Sequence, residues 1–286
     1  MATHRQQKLL VIQDLSCIGR CSLTVALPVL SCLGVQAVPL PTALLSAHTA
    51  FDGVYRRDML EDMREIADRW AQMPLSFDGV YVGYLGGGHQ LPLVMKLVER
   101  YQRGGARLFV DPVMGDHGKP YSFVTAALKE GFALLCKRAE VIFPNRTEAS
   151  MLLGVEYKEA GGEEDILRRL TQGFAPAAVL TGVARGQELG AMCLSEGRIG
   201  GAYAARHPGS FPGTGDLLAS AAIGALLRGL PLEKALDLAV RFVSGSIAWH
   251  EQGQDSRLGV PFERQLPSLM RDVQQMLDEG VNNLNG

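Results

Sequence analysis

A glycine-rich turn leads into a long apolar helix in Ser210-Phe-Pro-Gly-Thr-Gly-Asp-Leu-Leu-Ala-Ser-Ala-Ala-Ile-Gly-Ala-Leu-Leu227. The N–H groups of a helix's first turn lack internal partners and carry partial positive charge. Gly213 and Gly215 would let a phosphate approach those N–H groups closely. Asp216 would repel a bound anion, but it suits a base that deprotonates a hydroxyl beside a phosphoryl group held there. An ordinary helix N-cap explains Asp216 equally well at this point.

Strand-like apolar runs alternate with helical patterns along the 286 residues. The predicted strands are residues 8–13, 36–39, 79–83, 107–110, 140–143 and 177–181. The predicted helices are residues 22–33, 57–72, 90–103, 121–136, 146–153, 163–173, 216–228, 232–249 and 265–278. This alternation predicts an α/β fold with a mainly parallel central sheet and helices on both faces. Residues 190–194 and 198–204 predict a small antiparallel hairpin at a sheet edge. We expect residues 1–286 to form one domain, because no linker-like tract interrupts the pattern.

The composition is that of an ordinary globular protein, with 47% hydrophobic residues and a formal charge of −2. This charge gives no electrostatic basis for binding nucleic acid or an anionic membrane. The longest apolar run, residues 217–227, is too short to span a bilayer. The polar start of the chain does not have the pattern of a signal peptide. The five cysteines include no Cys-x-x-Cys pair, so we expect reduced thiols and a cytoplasmic location.

A second candidate motif, Asp111-Pro-Val-Met-Gly-Asp116, follows a predicted strand. In a parallel sheet, ligands bind at the carboxyl ends of the strands, so Asp111 would project toward them. A carboxylate in that place can hold Mg²⁺ directly or through water. Asp-Pro is also a common opening of a turn, which requires no function.

A third motif, Pro144-Asn145-Arg-Thr-Glu148, follows the next predicted strand and begins a helix. Asn145 and Glu148 have the spacing of a capping box, which by itself is purely structural. Their position at a strand exit that neighbours Asp111 also permits a carboxylate pair for a metal-bound triphosphate.

The remaining polar candidates have structural explanations of similar weight. His48-Thr49 lies in the loop after the second predicted strand, but a lone histidine is more often structural. Arg206 precedes the glycine turn and suits either a nucleotide phosphate or a solvated surface position. Known phosphate motifs do not match. Residues 115–120 have the wrong spacing for Walker A, and residues 213–218 lack the third glycine of a Rossmann fingerprint.

Taken together, these motifs resemble those of the ribokinase-like superfamily, and within it those of the vitamin B6 kinases. The segments that carry the resemblance are Gly213-Thr-Gly-Asp216, Asp111-Pro-Val-Met-Gly-Asp116, Pro144-Asn-x-x-Glu148, Ile12-Gln13, Gly19, Leu33-Gly34, Ser46-Ala-His48-Thr49 and Gly83-Tyr84. The resemblance covers approximately residues 8–265. It implies a ribokinase-like three-layer fold without a separate lid domain, use of ATP and Mg²⁺, an accessory K⁺ ion and a homodimer.

The resemblance also implies a role for each matching residue. Asp216 would deprotonate the 5′-hydroxymethyl group of pyridoxamine, pyridoxine or pyridoxal. Gly213, Thr214 and Gly215 would form an anion hole for the γ-phosphoryl group. Asp111 and Glu148 would organise Mg²⁺. The implied ATP site comprises Asp111, Asp116, Asn145, Glu148, Thr181 and Arg206. The implied substrate site comprises Asp14, His48, Thr49, Tyr84, Tyr121 and Asp216.

The chain departs from the B6-kinase pattern at several positions. Asp14 stands where well-known pyridoxal kinases have a serine that contacts the ring. Phe143 and Gly182 replace hydroxyl residues near the nucleotide, and residues 86–88 replace a more polar segment. These departures bear on ring selectivity rather than on kinase activity.

Two other functions remain as alternatives. Hydroxymethylpyrimidine kinases resemble this chain, but they typically have cysteine at the position of Asp216. A non-catalytic B6-binding protein with the same fold would be expected to lose Asp216, Asp111 or Glu148, and all three are present.

Overall fold

The computed structural model describes residues 5–251 and 253–284 of the chain. Its strands are β1 (Lys8–Ser16), β2 (Gln36–Leu45), β3 (Arg56–Asp58), β4 (Gly79–Val82), β5 (Arg107–Val110), β6 (Gly115–Asp116), β7 (Lys119–Pro120), β8 (Val141–Ile142), β9 (Ala177–Arg185), β10 (Glu188–Ser195) and β11 (Arg198–Ala205). Its α-helices are α1 (Ser22–Cys32), α2 (Leu60–Ala71), α3 (Leu91–Arg103), α4 (Ala126–Arg138), α5 (Arg146–Leu153), α6 (Glu163–Gly173), α7 (Thr214–Leu227), α8 (Leu232–Ile247) and α9 (Leu266–Leu284).

A nine-stranded sheet forms the middle layer, with strand order β11-β10-β9-β8-β5-β4-β1-β2-β3. The central strands from β9 to β2 pair in parallel. Antiparallel pairs close both edges, with β3 on β2 at one side and the β10–β11 hairpin on β9 at the other. The expected α/β fold and edge hairpin are confirmed.

Alternating side chains along each central strand build separate cores on the two faces of the sheet. In β1, Leu9 and Val11 pack beneath α1, α7, α8 and α9, whereas Leu10 and Ile12 pack against helices α2 to α6. The parallel strands are apolar on both faces because helices cover both. Helix α7 is buried from Leu217 to Leu227, which explains why this run of sequence is continuously apolar.

Two predicted helices begin later than expected. Helix α2 starts at Leu60, because residues 56–58 extend the sheet as β3, and the Asp58 carboxylate accepts the Leu60 N–H at 2.9 Å. Helix α4 starts at Ala126, because the Thr125 side chain caps it by accepting the Leu128 N–H. The prediction that residues 57 and 121 begin helices was therefore wrong.

Three strands continue further than the predicted bounds. Strand β1 resumes pairing with β2 after an irregularity at residues 13–15, so Asp14 lies inside a strand rather than in a loop. Strand β2 reaches Leu45, and β9 reaches Arg185 by pairing with β10, which places Thr181 inside a strand. Antiparallel or bulged pairing near a sheet edge leaves little trace in sequence periodicity. Within the described ranges, every helix is too short or too polar to cross a membrane.

Candidate active site

The candidate site lies where the strand order changes direction. From β1 the chain moves to β2 on one side and later returns to β4 on the other. Such a switch point opens a crevice outside the carboxyl ends of the strands, where α/β proteins bind ligands. Asp14 near the end of β1, Tyr84 after β4 and Asp111 after β5 all lie at this edge.

The glycine turn delivers Asp216 to the same edge. Gly213 is the N-cap residue of α7 and has left-handed backbone angles, with φ of +81°. Thr214 is held in the turn because its hydroxyl donates to the Phe211 carbonyl at 2.9 Å. Gly215 is exposed, and no atom lies within 4 Å of the point where its Cβ would stand. Gly215 therefore faces open space beside the N-terminus of α7.

Asp216 is half-buried in this turn, and its carboxyl is strongly perturbed. Burial raises the pKa of Asp216 to about 7, the Ser22 backbone N–H opposes this shift, and the negative charge of Asp14 adds to it. A carboxyl with a pKa near neutrality is well matched to general base catalysis.

Asp14 and Asp216 both lie close to Ser22. Asp14 accepts a hydrogen bond from the Ser16 hydroxyl at 2.8 Å. Burial raises the pKa of Asp14, while hydrogen bonds from the Ser22 and Ser16 side chains lower it. Ser22 has φ of +47°, an uncommon value for a residue with a side chain. In that conformation its N–H faces Asp216 and its hydroxyl faces Asp14.

Asp111 and Glu148 form a second pair of buried carboxyls. Burial raises the pKa of Asp111 well above its usual range, and the charges of Glu148 and Asp216 raise it further. Burial also raises the pKa of Glu148 to about 8, against the lowering effect of three backbone N–H groups. Each carboxyl therefore favours its protonated form, and a cation bound beside it would favour the ionised form.

Glu148 also fixes the loop that carries Asp111. One Glu148 oxygen accepts the Met114 N–H at 3.1 Å, and the other accepts the Asn145 N–H at 2.9 Å. Asn145 completes a capping box by accepting the Glu148 N–H at 3.0 Å, and its amide donates to the Gly115 carbonyl at 2.8 Å. The expected capping box is confirmed, and it ties the residue 111–116 loop to α5.

The carboxyl pair fits a divalent cation. Two buried carboxyls supply the oxygen ligands that Mg²⁺ prefers. Within residues 5–251 and 253–284, no three His, Cys, Asp or Glu side chains are grouped closely enough to hold a metal ion. A magnesium ion at Asp111 and Glu148 would therefore take its other ligands from water and phosphate oxygens.

Asp116 lies further out than the pair. It is the last residue of β6 in the short β6–β7 hairpin, and its side chain is about half exposed. The Gly118 N–H donates to the Thr147 hydroxyl at 2.8 Å, which pins the hairpin against α5. The structure thus holds Asp116 beside the carboxyl pair, on the solvent side.

An aromatic wall flanks the switch point. The Tyr84 ring is buried and packs against Phe123 with centroids 4.8 Å apart, and Tyr121 stacks on Phe123 at 5.8 Å. Burial raises the pKa of Tyr84 to about 12. It also raises the pKa of Tyr121, as do the charges of the nearby carboxyls. Both tyrosines therefore remain hydroxyl donors at neutral pH.

His48 is more tightly held than its sequence context suggested. Its Nδ1 accepts the Ala50 N–H at 3.2 Å, and its Nε2 bonds to the Arg257 carbonyl. A Cβ on Gly19 would stand 2.1 Å from the His48 ring, so the ring packs directly against the backbone of Gly19. Both ring nitrogens are thus engaged within the chain. Thr49, its neighbour, is exposed.

Thr181 and Arg206 lie in different surroundings. Thr181 forms an isolated bridge with Asn145, and its N–H donates to the Pro144 carbonyl at 3.0 Å. Arg206 follows β11 and is exposed. Thr181 therefore adjoins the capping box, whereas the Arg206 N–H donates to the Gln187 carbonyl at 2.9 Å.

Sequence reasoning missed Ser22, Ser16 and Arg257. Ser16 and Ser22 are ordinary small residues in the sequence, and the positive φ of Ser22, which brings it near both carboxyls, is a feature of the folded backbone. Arg257 is far from His48 in sequence, so no local pattern indicates their contact.

The chain matches one family model and is similar to three known proteins. A family model described as phosphomethylpyrimidine kinase matches residues 30–259. The solved pyridoxal kinase from Lactobacillus plantarum is 33% identical, with a TM-score of 0.85 over 93% of this chain and 98% of that chain. A Bacteroides thetaiotaomicron protein assigned to the phosphomethylpyrimidine kinases, solved with pyridoxal, is 32% identical, with a TM-score of 0.87 over 93% of this chain and 96% of that chain. Pyridoxal kinase from Rubrobacter xylanophilus is 29% identical over 82% of this chain and 84% of its own length.

The expected resemblance is confirmed by these matches, which cover the switch point, the glycine turn and the capping box. The family model spans most of the chain, and the solved relatives match 93% of it with TM-scores of 0.85 and 0.87. The chain therefore belongs to the phosphomethylpyrimidine kinase family of ribokinase-like kinases.

Proposed function

We propose that this kinase transfers the γ-phosphoryl group of ATP to the 5′-hydroxymethyl group of pyridoxamine, pyridoxine or pyridoxal. The observation that carries the proposal is the position of Asp216. It follows the left-handed turn at Gly213 directly and is coupled to the carboxyls of Asp14 and Asp111. A phosphoryl transfer needs a base, an anion hole and a counter-charge at one place, and each has a candidate here.

In the proposed mechanism, Asp216 accepts the proton of the substrate hydroxyl. The N–H groups that follow Gly213 donate to the transferring phosphoryl group, since the helix N-terminus favours negative charge. Mg²⁺, when bound at Asp111 and Glu148, would neutralise charge on the phosphates. Asn145, Thr181, Asp116 and Arg206 remain proposed contacts for the nucleotide.

The ring of the substrate is proposed to bind between the aromatic wall and Asp14. Tyr84 and Tyr121 offer apolar faces and hydroxyl donors, while Asp14 offers a carboxyl. A carboxylate there would favour a protonated ring nitrogen or an amine over a neutral group. His48 and Thr49 would border the ring from the opposite loop.

Hydroxymethylpyrimidine phosphorylation is the second candidate, because the matching family model carries the name phosphomethylpyrimidine kinase. Against it stands Asp216, where such kinases typically have cysteine. In favour of the B6 vitamers stand the relatives named pyridoxal kinase.

The deciding experiment is a measurement of ADP release from Mg-ATP with purified protein. Pyridoxal, pyridoxine, pyridoxamine and hydroxymethylpyrimidine are compared, each with and without potassium. Turnover with at least one B6 vitamer and little with hydroxymethylpyrimidine is expected. The reverse preference would establish the second candidate, and vitamer binding without ADP release would indicate a non-catalytic protein.

A further inference from the structure

A layer of buried polar side chains lies beneath the candidate site, within a core that is otherwise apolar. Gln13, Tyr81 and Ser220 are each 0% exposed. Among the described residues, the side-chain oxygen and nitrogen of Gln13, the Tyr81 hydroxyl and the Ser220 hydroxyl make no hydrogen bond. Buried polar atoms without partners are rare and costly, so a cluster of them requires an explanation.

Three different elements place these groups together directly below the carboxyls. Ser220 lies four residues after Asp216 on α7, and residues at that spacing share one face of a helix. Tyr81 pairs with Phe109 across β4 and β5, two residues before Asp111. Because successive side chains alternate between faces, Tyr81 and Asp111 point to the same side of the sheet.

The same proximity appears in the electrostatics of Tyr81. Burial raises the pKa of its hydroxyl well above the usual range, and the charges of Asp111 and Asp216 raise it further. The Gln13 and Ser220 side chains lower this pKa, which places their polar groups near the Tyr81 hydroxyl, although no hydrogen bond of ordinary length and angle joins them. The cluster therefore adjoins both carboxyls.

Space for Gln13 is provided by a glycine. A Cβ on Gly83 would stand 2.3 Å from the Gln13 Nε2 and 2.8 Å from its Cδ. A larger residue at position 83 would displace the amide, so Gly83 is needed to seat a polar group in this layer.

We propose that Gln13, Tyr81 and Ser220 bind one buried water molecule, and that the hydrated cluster positions Asp111 and Asp216 from below. The Gln13 and Ser220 side chains both lie near the Tyr81 hydroxyl, and none of the three groups makes a hydrogen bond of ordinary length and angle. One water can serve an amide and two hydroxyls at once. Water typically makes about three hydrogen bonds in such sites. The positioning role rests on the proposed function, whereas the water site does not.

The water site is tested by a double-mutant cycle on protein stability, which needs no turnover. Tyr81→Phe and Ser220→Ala each remove one partner of the shared water and should each raise the unfolding equilibrium constant about tenfold. If one water joins the two hydroxyls, the unfolding equilibrium constant of the double variant should rise about tenfold, as in either single variant. Independent effects would multiply to about a hundredfold. Additive effects would overturn the proposal.

Tyr101→Phe supplies the matched control. The Tyr101 hydroxyl is also buried without a hydrogen-bond partner in the described part of the chain, but it lies on α3, on the opposite face of the sheet. When Tyr101→Phe is combined with Ser220→Ala, the changes in the free energy of unfolding should be additive. Coupling of equal size in this control pair would also overturn the proposal.

The positioning role is tested by kinetics on the same variants. Tyr81→Phe should lower kcat about three- to tenfold while KM for ATP and vitamer stays within about twofold. Tyr101→Phe should change neither constant. Unchanged kcat in Tyr81→Phe would refute the positioning role. If the wild-type protein turns over no vitamer, the proposed function fails, and the stability cycle still decides the water site.

A crystal structure at high resolution completes the test. Density for a water between the Tyr81 and Ser220 hydroxyls in the wild type, lost in Tyr81→Phe, is expected. Direct hydrogen bonds among the three side chains, with no density between them, would overturn the proposal.

Discussion

The backbone carbonyl oxygen of Arg20 lies 1.8 Å from the point where a Cβ on Gly213 would stand. The loop that follows β1 therefore presses directly against the turn that begins α7. Arg20 is held in its own place because its N–H donates to the Leu258 carbonyl and its side chain bonds to Glu263 at 2.8 Å. Loops from both ends of the chain thus shape the turn that precedes Asp216.

Replacing Gly213 by alanine should damage both stability and activity. The left-handed backbone alone costs a residue with a side chain about 1–3 kcal/mol, and the clash with Arg20 forces the turn to shift as well. We expect a lower free energy of unfolding in denaturant titration and strongly reduced ADP release. Gly173→Ala is the control, since no atom lies near its Cβ position and it is exposed. Equal stability of the two variants would contradict this account of the turn.

Asp216→Asn should remove the proposed base while keeping the shape of the side chain. We expect kcat to fall about 10²–10⁴-fold, which is the usual contribution of general base catalysis. ATP affinity, measured by calorimetry, should change little. The exposed Asp68→Asn on α2 serves as the control. Near-normal turnover of Asp216→Asn would exclude the role of base.

Raised carboxyl pKa values predict how the stability of the ligand-free protein depends on pH. Folding raises the pKa of Asp216 from 3.8 to about 7. The folded state therefore favours the protonated form, and this contribution to stability is lost as pH rises through about 7. Asparagine cannot ionise, so Asp216→Asn should gain stability relative to the wild type between pH 5 and pH 8.

The size of that gain follows from the pKa shift. Each pKa unit corresponds to about 1.4 kcal/mol, and water around a half-buried carboxyl screens part of it, so we expect about 1–2 kcal/mol. Thermal or urea unfolding at both pH values measures the difference. A gap between the two proteins that is constant with pH would mean that the pKa of Asp216 is ordinary.

Glu148→Gln should loosen the loop that carries Asp111. Both Glu148 oxygens accept backbone N–H groups, from Met114 and Asn145. Glutamine has one acceptor oxygen, so one of those N–H groups loses its partner, at a cost of about 1–3 kcal/mol. KM for Mg-ATP should rise as well. The exposed Glu130→Gln on α4 is the control, and an unchanged KM with full stability would contradict the prediction.

Asp14→Ser should change the choice between vitamers. Serine removes the charge that would attract a protonated group, so the rate with pyridoxamine should fall about tenfold relative to the rate with pyridoxal. The comparison uses kcat/KM for both vitamers in one assay. Unchanged relative rates would show that Asp14 does not select the substrate.

Local sequence signals predicted most of the fold and the capping box at Asn145 and Glu148. Apolar periodicity located the central strands and helices, and the spacing of Asn145 and Glu148 predicted the capping box that hydrogen bonds confirm. The same signals failed near sheet edges. The strand at residues 56–58 and the extension of β9 exist because a neighbouring strand pairs with them, and such pairing is not encoded by side-chain alternation alone.

The sequence by itself determined the carboxyls, the glycines and the order of strands and helices, because these follow from residue types and their periodicity. Only the tertiary structure decided which of them meet. Ser22 lies close to both Asp14 and Asp216, Arg20 restricts Gly213, and Gln13 and Ser220 both lie near Tyr81. These contacts link residues far apart in the chain, so the packing of whole elements creates them, and that packing also removes the water that would otherwise hold each carboxyl at its ordinary pKa.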